Sequence, residues 1–488
     1  MDPVSILLII GIYFAILLLI SHFIGRLDSG NAAFFTGNRR SPWYIVAFGM
    51  IGSTLSGVTF VSVPGMVRNF DMTYMQMVFG FFVGYMIIAF VLLPLYYRLN
   101  LVSIYTYLQE RIGQRAYKTG AGFFLVSRTI GASARLYVAV MILQTYVFDA
   151  WNIPFVLTAS GFLLMIWLYT YKSGVKAIIW TDLLQTFFLL SAMVLVIWQV
   201  ADKMNLNMVG LAMEIKESEH FRIFVFDDWV SRQHFVKQFL SGIFVTIAMT
   251  GVDQEMMQKN LSCKNLREAQ KNMCWYSFAF IPVNFLFLCL GVLLLCFASA
   301  NQIALPALSD DIFPMLVTQF YFGKLALIFF VIGIISVTFA SVDSAITGLT
   351  TSVCIDFLGL STNEEERSKK LRIRVHFFIS ISFILIMLLF KAANNSSIIT
   401  AIYMIASYTY GPLLGLFAFG ILLKGKTRDK YVPYVCVLSP IICFAMDRLV
   451  FRLTAYQFGY EMLIINAALV MLGLYLLEVI HLRRSRSF

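Results

Sequence analysis

One stretch near the N-terminus decides how this sequence folds. Residues 49–65 read GMIGSTLSGVTFVSVPG, within an apolar run that extends from 44 to 66. Glycine weakens a helix, and serine and threonine hydroxyls compete for its backbone hydrogen bonds. We therefore expect the helix to break here, with Thr54, Ser56 and Thr59 beside freed backbone groups that can coordinate ions. The alternative is a face of small residues on which another helix packs closely.

The composition places the chain in a broad class. Of its 488 residues, 60% are hydrophobic and 13% are charged, and the mean hydropathy is +0.81. Soluble chains are about 45–50% apolar and about 25% charged, and no soluble fold has enough interior to hide such an excess. We therefore exclude soluble enzymes, disordered chains and disulfide scaffolds. An all-α polytopic membrane protein is expected, with about 20 residues in each span.

Thirteen apolar runs follow one another along the chain, and we number them spans 0 to 12. Their approximate ranges are 5–23, 44–66, 72–96, 119–148, 153–171, 177–200, 233–257, 272–299, 322–356, 375–391, 398–422, 431–449 and 462–481. Since the number of crossings is odd, the two termini lie on opposite sides of the membrane.

The basic residues predict the orientation. Connections on the side of the C-terminus hold 25 lysines and arginines, and those on the other side hold ten. Cytoplasmic loops carry the excess of positive charge, so we expect the N-terminus outside and the C-terminus in the cytoplasm. The net charge of +11 then marks loops and gives no sign of nucleic-acid binding. The N-terminus lacks the basic region of a signal peptide, so span 0 is expected to stay uncleaved.

Four charged residues lie inside predicted spans: Arg135, Asp182, Asp253 and Asp343. Charges in the bilayer are costly and usually functional or paired. Arg135, near the middle of span 3, could hold a carboxylate in bidentate geometry, or it could pair with one of the aspartates. Asp182, near the cytoplasmic end of span 5, could accept a cation that leaves inward, or pair with a loop lysine such as Lys176.

Span 8 presents an oxygen-rich helical face. Its members are Ser336, Ala340, Asp343, Thr347 and Thr351, with Ser344 beside them. Hard cations such as sodium prefer oxygen ligands; the alternative is a stripe of hydroxyls that bends the helix. No P-loop, HExxH motif or nucleophile elbow occurs, so we expect neither ATP-driven transport nor an enzyme, and no organic cofactor.

Five fragments together resemble the sodium:solute symporter family over nearly the whole chain. They are LSGVTFVSVPG at 55–65, YRLNLVSIYTYLQER at 97–111, WTDLLQ at 180–185, GVDQ at 251–254 with NLREAQ at 265–270, and GPLLGLF at 411–417. The motifs are nearest to the iodide, multivitamin and monocarboxylate branch and to the sialic acid branch. The resemblance implies a single transporter domain over 1–488 with a LeuT-type fold. Residues 44–200 and 233–422 would be inverted repeats of five spans, with spans 1 and 6 broken, and 5–23 and 431–481 peripheral.

The same resemblance implies where sodium would bind. The family's common site uses spans 1 and 8, and its residues here are Gly52, Leu55, Val337, Ala340 and Ser341. Ala340 stands where the family usually has a hydroxyl, so one ligand is missing. An additional sodium site found in some members maps to Asp182, Asp343 and Ser344, where Asp343 replaces a hydroxyl and, as a hypothesis, compensates for Ala340.

The substrate residues implied by the sialic acid branch are Ser56, Thr59, Gln76 and Arg135, and we add Asp253 at the predicted break of span 6. The positions at which galactose carriers have polar side chains hold other residues here. We therefore expect sodium-coupled import of an organic anion, such as a sialic or other sugar acid or a monocarboxylate. A neutral sugar or vitamin is the alternative, and a transporter-like membrane sensor is the alternative from another class.

The partners implied are a small solute, Na⁺ and the lipid bilayer, with no nucleic acid and no obligate protein partner. The bacterial cytoplasmic membrane is the expected location.

Overall fold

The structure is a computed structural model that describes residues 3–27, 30–172, 174–360, 366–393, 398–423, 427–454, 456 and 458–486. These residues form helices and their connections, and no strand occurs among them. The all-α class expected from the sequence is confirmed. The seven cysteines are free thiols.

Each predicted span coincides with helical structure. In order along the chain the helices are Pro3–Leu27, Trp43–Thr54 with Gly57–Phe70, Tyr74–Arg98, Gln114–Leu143, Phe155–Thr170, Val175–Lys203, Phe235–Gly251 with Gln254–Asn260, Leu266–Ala300, Gly323–Phe357, Glu366–Ala393, Ile398–Leu422, Val432–Thr454 and Glu461–Arg486. Within the described residues, nine helices are long and apolar enough to cross a membrane, and two bent pairs pass the same test as one span each. Thirteen crossings and the inverted repeats stay predictions.

Span 1 is broken where the sequence predicts it. Its two halves meet at an angle of 57°, and the residues between them, Leu55 and Ser56, have extended ψ angles of 147° and 167°. The Ser56 hydroxyl accepts a hydrogen bond from the Thr59 amide at 3.2 Å, and this N-cap starts the second half of the span. The last carbonyls of the first half lose the amide partners that a continuous helix would supply.

Span 6 is broken more sharply, by 73°. Asp253 caps its second half, Gln254–Asn260, by accepting hydrogen bonds from the amides of Glu255 and Met256 at 3.0 and 3.3 Å. A π-helical turn, Ile247–Gly251, precedes the break. Every residue of the polar half-helix Gln254–Asn260 is buried, so its polar side chains must find partners inside the protein.

Glycines bring the neighbouring spans against span 1. A Cβ atom at Gly57 would lie 2.7 Å from the Thr338 hydroxyl and 2.9 Å from the Cβ of Ala139. At Gly52, an added Cβ would collide with the hydroxyl of Thr186, to which the Gly52 amide donates a hydrogen bond at 3.1 Å. The break therefore lies in contact with spans 3, 5 and 8, and these approaches need glycine because any side chain would displace the neighbouring helix.

Candidate cation and solute site

Spans 1 and 8, which carry the residues of the predicted common sodium site, meet beside the break of span 1. Gly57, next to the break, touches Thr338, which immediately follows Val337 on span 8. Ser341 donates its hydroxyl hydrogen to the carbonyl of Thr338 at 3.0 Å, and this leaves the oxygen lone pairs free for a cation. Ala340 is fully buried and contributes no side-chain oxygen. The arrangement suits a small cation held by oxygen atoms.

Ser56 and Thr59 form one polar pair at the break, with their hydroxyl oxygens 3.1 Å apart. Ala139 of span 3, which touches Gly57, lies one helical turn beyond Arg135, so Arg135 approaches the same break from span 3. Arg135 therefore lies on the face of span 3 that touches the break, one helical turn from the contact.

Arg135 is half-buried, and no hydrogen bond or ion pair to it occurs among the described residues. Its electrostatic neighbours are Arg128, Glu255, Tyr410 and Asp253. A guanidinium with unused donors beside a polar break is suited to bind a carboxylate. The expected alternative, a direct ion pair with an aspartate, is not formed.

Arg128, seven residues earlier on span 3, forms that ion pair instead. Its Nε donates to a carboxylate oxygen of Glu255, and its Nη1 lies 3.8 Å from Oδ2 of Asp253. All three side chains are buried. The sequence alone does not distinguish Arg128 from Arg135, because two arginines on one face of a helix look alike when their partners are unknown.

Asp253 therefore serves the fold of span 6. It caps the second half-helix, faces Arg128, and accepts a hydrogen bond from the Tyr410 hydroxyl at 2.9 Å. For Asp253, of the two roles expected for a charge inside a span, the structure therefore shows pairing within the protein. With both carboxylate oxygens engaged by the protein, Asp253 has no oxygen left over for a solute.

The long-range hydrogen bonds of Gln76 are to the connection before span 6 and not to the other predicted substrate residues. Its Nε2 donates to the carbonyl of Gln233 at 2.9 Å, and its Oε1 accepts from the amide of Val225 at 3.0 Å. The side chain is fully buried and fastens the connection before span 6 to span 2.

Asp182 is paired across the core with Lys259. The Lys259 Nζ lies 2.5 Å from Oδ2 of Asp182, and the two side chains are 3% and 1% exposed. Lys259 is one of the 25 basic residues assigned above to the connections on the side of the C-terminus, and this assignment was wrong because the buried half-helix of span 6 carries it. Removing it from the count leaves the charge asymmetry intact. Lys176, the partner considered for Asp182, is not the one that forms this pair.

Asp343 lies close to this pair on span 8. Its Oδ2 accepts a hydrogen bond from the Tyr169 hydroxyl at 2.7 Å, and its Oδ1 accepts from the Ser344 hydroxyl at 3.1 Å. The carbonyl of Ala340 lies 2.9 Å from the same Ser344 hydroxyl, so the two acceptors share its single hydrogen. The three residues predicted for an additional sodium site, Asp182, Asp343 and Ser344, therefore share one buried region. Lys259 lies in the same region and pairs with Asp182.

Tyrosines satisfy the carbonyls freed at the break of span 6. The hydroxyl of Tyr96 donates to the carbonyl of Gly251 at 2.8 Å, and that of Tyr105 donates to Val252 at 3.2 Å. Gln254 holds the connection after span 2 by hydrogen bonds to Val102 and Ile104, both at 2.9 Å. The fragments around 97–111 and 251–254 thus fix the geometry of the break. The sequence shows that both fragments occur, but it does not predict that they contact each other.

Known proteins resemble this chain over most of its length. The family model "Sodium:solute symporter family" matches residues 34–429. The human sodium/iodide cotransporter is 26% identical over 63% of this chain and 49% of its own length. The human sodium-coupled monocarboxylate transporter 1 is 27% identical over 54% of this chain and 42% of its own. The chain therefore spans about half the length of these two relatives.

A bacterial relative aligns more completely. The sodium/sialic acid symporter SiaT of Proteus mirabilis (strain HI4320) is 22% identical over 87% of this chain and 86% of its own.

Solved structures share the fold. A substrate-bound, outward-open Na⁺-coupled sialic acid symporter, described as revealing a novel Na⁺ site, superposes with a TM-score of 0.82 at 18% identity, over 97% of each chain. MHP1, a nucleobase-cation-symport-1 family transporter solved in a closed conformation, gives 0.55 at 12% identity, over 94% of this chain and 96% of its own. The LeuT-type architecture expected from the sequence is confirmed by these neighbours.

The family match and the apolar helices agree on an integral membrane protein. The family consists of symporters. This agrees with the prediction that the protein is a transporter and not an enzyme. Because the family model covers well over half of the sequence, the chain belongs to the sodium:solute symporter family.

Proposed function

We propose that the protein imports a small organic anion together with sodium, by alternating access. The observation that carries this proposal is Arg135, a half-buried guanidinium without a protein partner among the described residues, one turn from the contact between span 3 and the break of span 1. A buried charge left unpaired is costly, so an arginine in this position is best explained by an anionic ligand. A sialic or other sugar acid, or a monocarboxylate, fits this chemistry.

Ser56 and Thr59 complete the proposed solute site from span 1. Their hydroxyls lie 3.1 Å apart at the break, where they can donate to the ligand and accept from it. Asp253 and Gln76, which the sequence analysis included, are engaged in protein hydrogen bonds. We leave both out of the solute site and assign them to the supporting structure.

The coupling ion is proposed to bind between spans 1 and 8. Its ligands would be the carbonyls of Gly52, Leu55 and Val337 with the hydroxyl of Ser341, while Ala340 supplies no hydroxyl. Sodium bound here would stabilise the broken conformation of span 1, and with it the solute site, which is the differential binding that coupling requires. The membrane potential adds about 2.3 kcal/mol per charge per 100 mV.

The family match and the charge pattern support a proposed location and orientation. We propose that the protein lies in the bacterial cytoplasmic membrane, with the N-terminus outside and the C-terminus in the cytoplasm. We also propose that it needs the lipid bilayer but no obligate protein partner. A neutral sugar or vitamin would leave Arg135 without a counter-charge, and this disfavours it.

A thermal-shift screen of the purified protein tests the proposal. Sialic and sugar acids, monocarboxylates, vitamins and neutral sugars are each added with sodium and, in parallel, with choline at the same ionic strength. We expect an organic anion to stabilise the protein only with sodium, and Arg135→Ala to abolish the shift. Stabilisation by a neutral ligand that Arg135→Ala leaves unchanged would refute the anion assignment.

A further inference from the structure

A groove lies between the end of span 2, the short helix Thr106–Arg111 and the end of span 10. Its volume is about 460 Å³, which is within the range of sites for small molecules. Two of the residues that line the groove, Arg98 and Arg111, are basic, and none is acidic. The groove is therefore suited to a ligand that carries negative charge.

The groove has an apolar part and a basic part. Span 2 contributes Val91, Leu95 and Arg98, whose spacing places them on one face of the helix. Val91 is 47% exposed and the neighbouring Phe90 is 60% exposed, so this face is turned to the lipid around the spans. Arg98 ends the helix about 10 Å beyond Val91. A ligand in the groove would thus meet apolar side chains toward the bilayer interior and arginines at its boundary.

Arg111 is held in place by the end of span 10. Its Nε donates a hydrogen bond to the carbonyl of Gly420 at 2.9 Å, and its Nη2 donates to the carbonyl of Leu423. No hydrogen bond from its Nη1 occurs among the described residues. The guanidinium is therefore oriented by the protein while one of its nitrogens stays free to donate to a ligand.

Arg98 has its whole guanidinium available. The side chain is exposed, and it forms no hydrogen bond or ion pair within the described part of the chain. A single arginine at a helix end commonly reaches along the apolar surface to water. Here, however, Arg98 and Arg111 are both electrostatic neighbours of the Tyr107 hydroxyl, which also lines the groove. Two guanidinium groups and a hydroxyl near one point match the oxygen atoms of a phosphate.

We infer that this groove binds an anionic phospholipid. Its phosphate would lie at Arg98, Arg111 and Tyr107, and an acyl chain would follow Val91 and Leu95. Basic pockets between spans bind anionic head groups at the cytoplasmic side of membranes, and the predicted orientation places the groove on that side. A zwitterionic lipid fits less well, because no carboxylate lines the groove to receive its ammonium group. The inference does not depend on the transported solute.

Native mass spectrometry of the purified, delipidated full-length protein tests the site. Phosphatidylglycerol and phosphatidylcholine with the same acyl chains are titrated separately. We expect the first phosphatidylglycerol to bind roughly tenfold more tightly than phosphatidylcholine, and Arg98→Gln to remove this preference. Because Arg98 has no partner in the described part of the protein, its variant should keep the normal unfolding temperature.

Arg374→Gln is the matched control. Arg374 is also an exposed arginine on the predicted cytoplasmic side, but it belongs to the helix Glu366–Ala393 and does not line the groove. This variant should keep the preference for phosphatidylglycerol. Equal binding of the two lipids by the unmodified protein would overturn the inference, and so would an unchanged preference in Arg98→Gln or an equal loss in both variants.

A competition experiment separates a lipid from a soluble phosphate. Inorganic phosphate at the concentration of the lipid should not displace phosphatidylglycerol, because it lacks the acyl chains that contact Val91 and Leu95. Displacement would show that the groove binds soluble phosphate and would overturn the assignment to a lipid.

Discussion

The ammonium nitrogen of Lys259 lies 2.5 Å from Oδ2 of Asp182, and neither side chain is more than 3% exposed. The pair ties the second half of span 6 to span 5 inside the protein. Removing one partner of a buried pair typically costs about 3–5 kcal/mol, whereas removing both costs far less.

Lys259→Met is therefore expected to lower the free energy of unfolding by about 3–5 kcal/mol. Thermal unfolding in detergent measures the effect. The double variant Asp182→Asn with Lys259→Met should recover most of the loss, because no charge is left unpaired. A single variant as stable as the double one would show that the pair does not hold the spans together.

Arg135 and Arg128 should respond differently to the same substitution. Arg135→Ala is expected to unfold at nearly the normal temperature but to bind the organic anion roughly 10- to 100-fold more weakly, the loss of a hydrogen bond to a charged group. Arg128→Ala should destabilise the protein itself, because Asp253 and Glu255 lose their buried counter-ion. Thermal unfolding with and without ligand separates the two effects, and equal destabilisation by both variants would contradict the assignment.

The side-chain hydroxyls at positions 340 and 341 of span 8 should determine the sodium affinity of the proposed common site. Ser341→Ala removes a proposed ligand and should raise the sodium concentration for half-maximal binding about fivefold. Ala340→Ser adds an oxygen where the sequence lacks one and should lower that concentration. Sodium titrations followed by tryptophan fluorescence provide the measurement. Unchanged titrations in both variants would place the coupling ion elsewhere.

Gly57 should tolerate no side chain. A Cβ atom there would meet Thr338 at 2.7 Å and Ala139 at 2.9 Å, so Gly57→Ala is expected to force spans 3 and 8 away from the break and to weaken sodium and solute binding. Gly131→Ala on span 3 is the control, because no atom lies within 4 Å of the added Cβ. That variant should leave binding unchanged and gain up to about 1 kcal/mol of helix stability. Normal binding by Gly57→Ala would argue against this packing.

Substitution of Gln76 should lower the stability of the protein and leave its affinity for the solute unchanged. Gln76→Leu breaks its hydrogen bonds to Gln233 and Val225 and leaves buried backbone groups unsatisfied, at a cost of about 1–3 kcal/mol for each group. We expect a lower unfolding temperature and an unchanged affinity for the anion. A loss of anion affinity without loss of stability would return Gln76 to the solute site.

The sequence predicted the fold because its signals are local. The glycines and hydroxyls of residues 49–65 predict the break of span 1, and the apolar runs predict the helices, since both depend on residues that are neighbours in the chain. Local signals do not predict the common sodium site, because Gly52 and Ser341 lie far apart in the sequence. That site is a prediction from the resemblance to the family.

Pairing between spans could not be predicted in this way. Lys259 was counted as a loop charge because it lies at the end of an apolar run, and only the 73° break of span 6 turns it into the core. Arg128 and Arg135 share one helical face, and the choice between ion pair and free guanidinium depends on where Glu255 and Asp253 come to lie. Local sequence contains no record of those distances.

Transport in proteoliposomes measures directly whether this protein couples anion import to sodium. The purified protein is reconstituted with an inward sodium gradient, and the uptake of the radiolabelled anion identified by the thermal-shift screen is followed over time. We expect the anion to accumulate above its external concentration, a sodium ionophore to release it, and Arg135→Ala to reduce the accumulation strongly at anion concentrations that saturate the unmodified protein. Uptake that only equilibrates, at the same rate with and without the sodium gradient, would contradict this coupling.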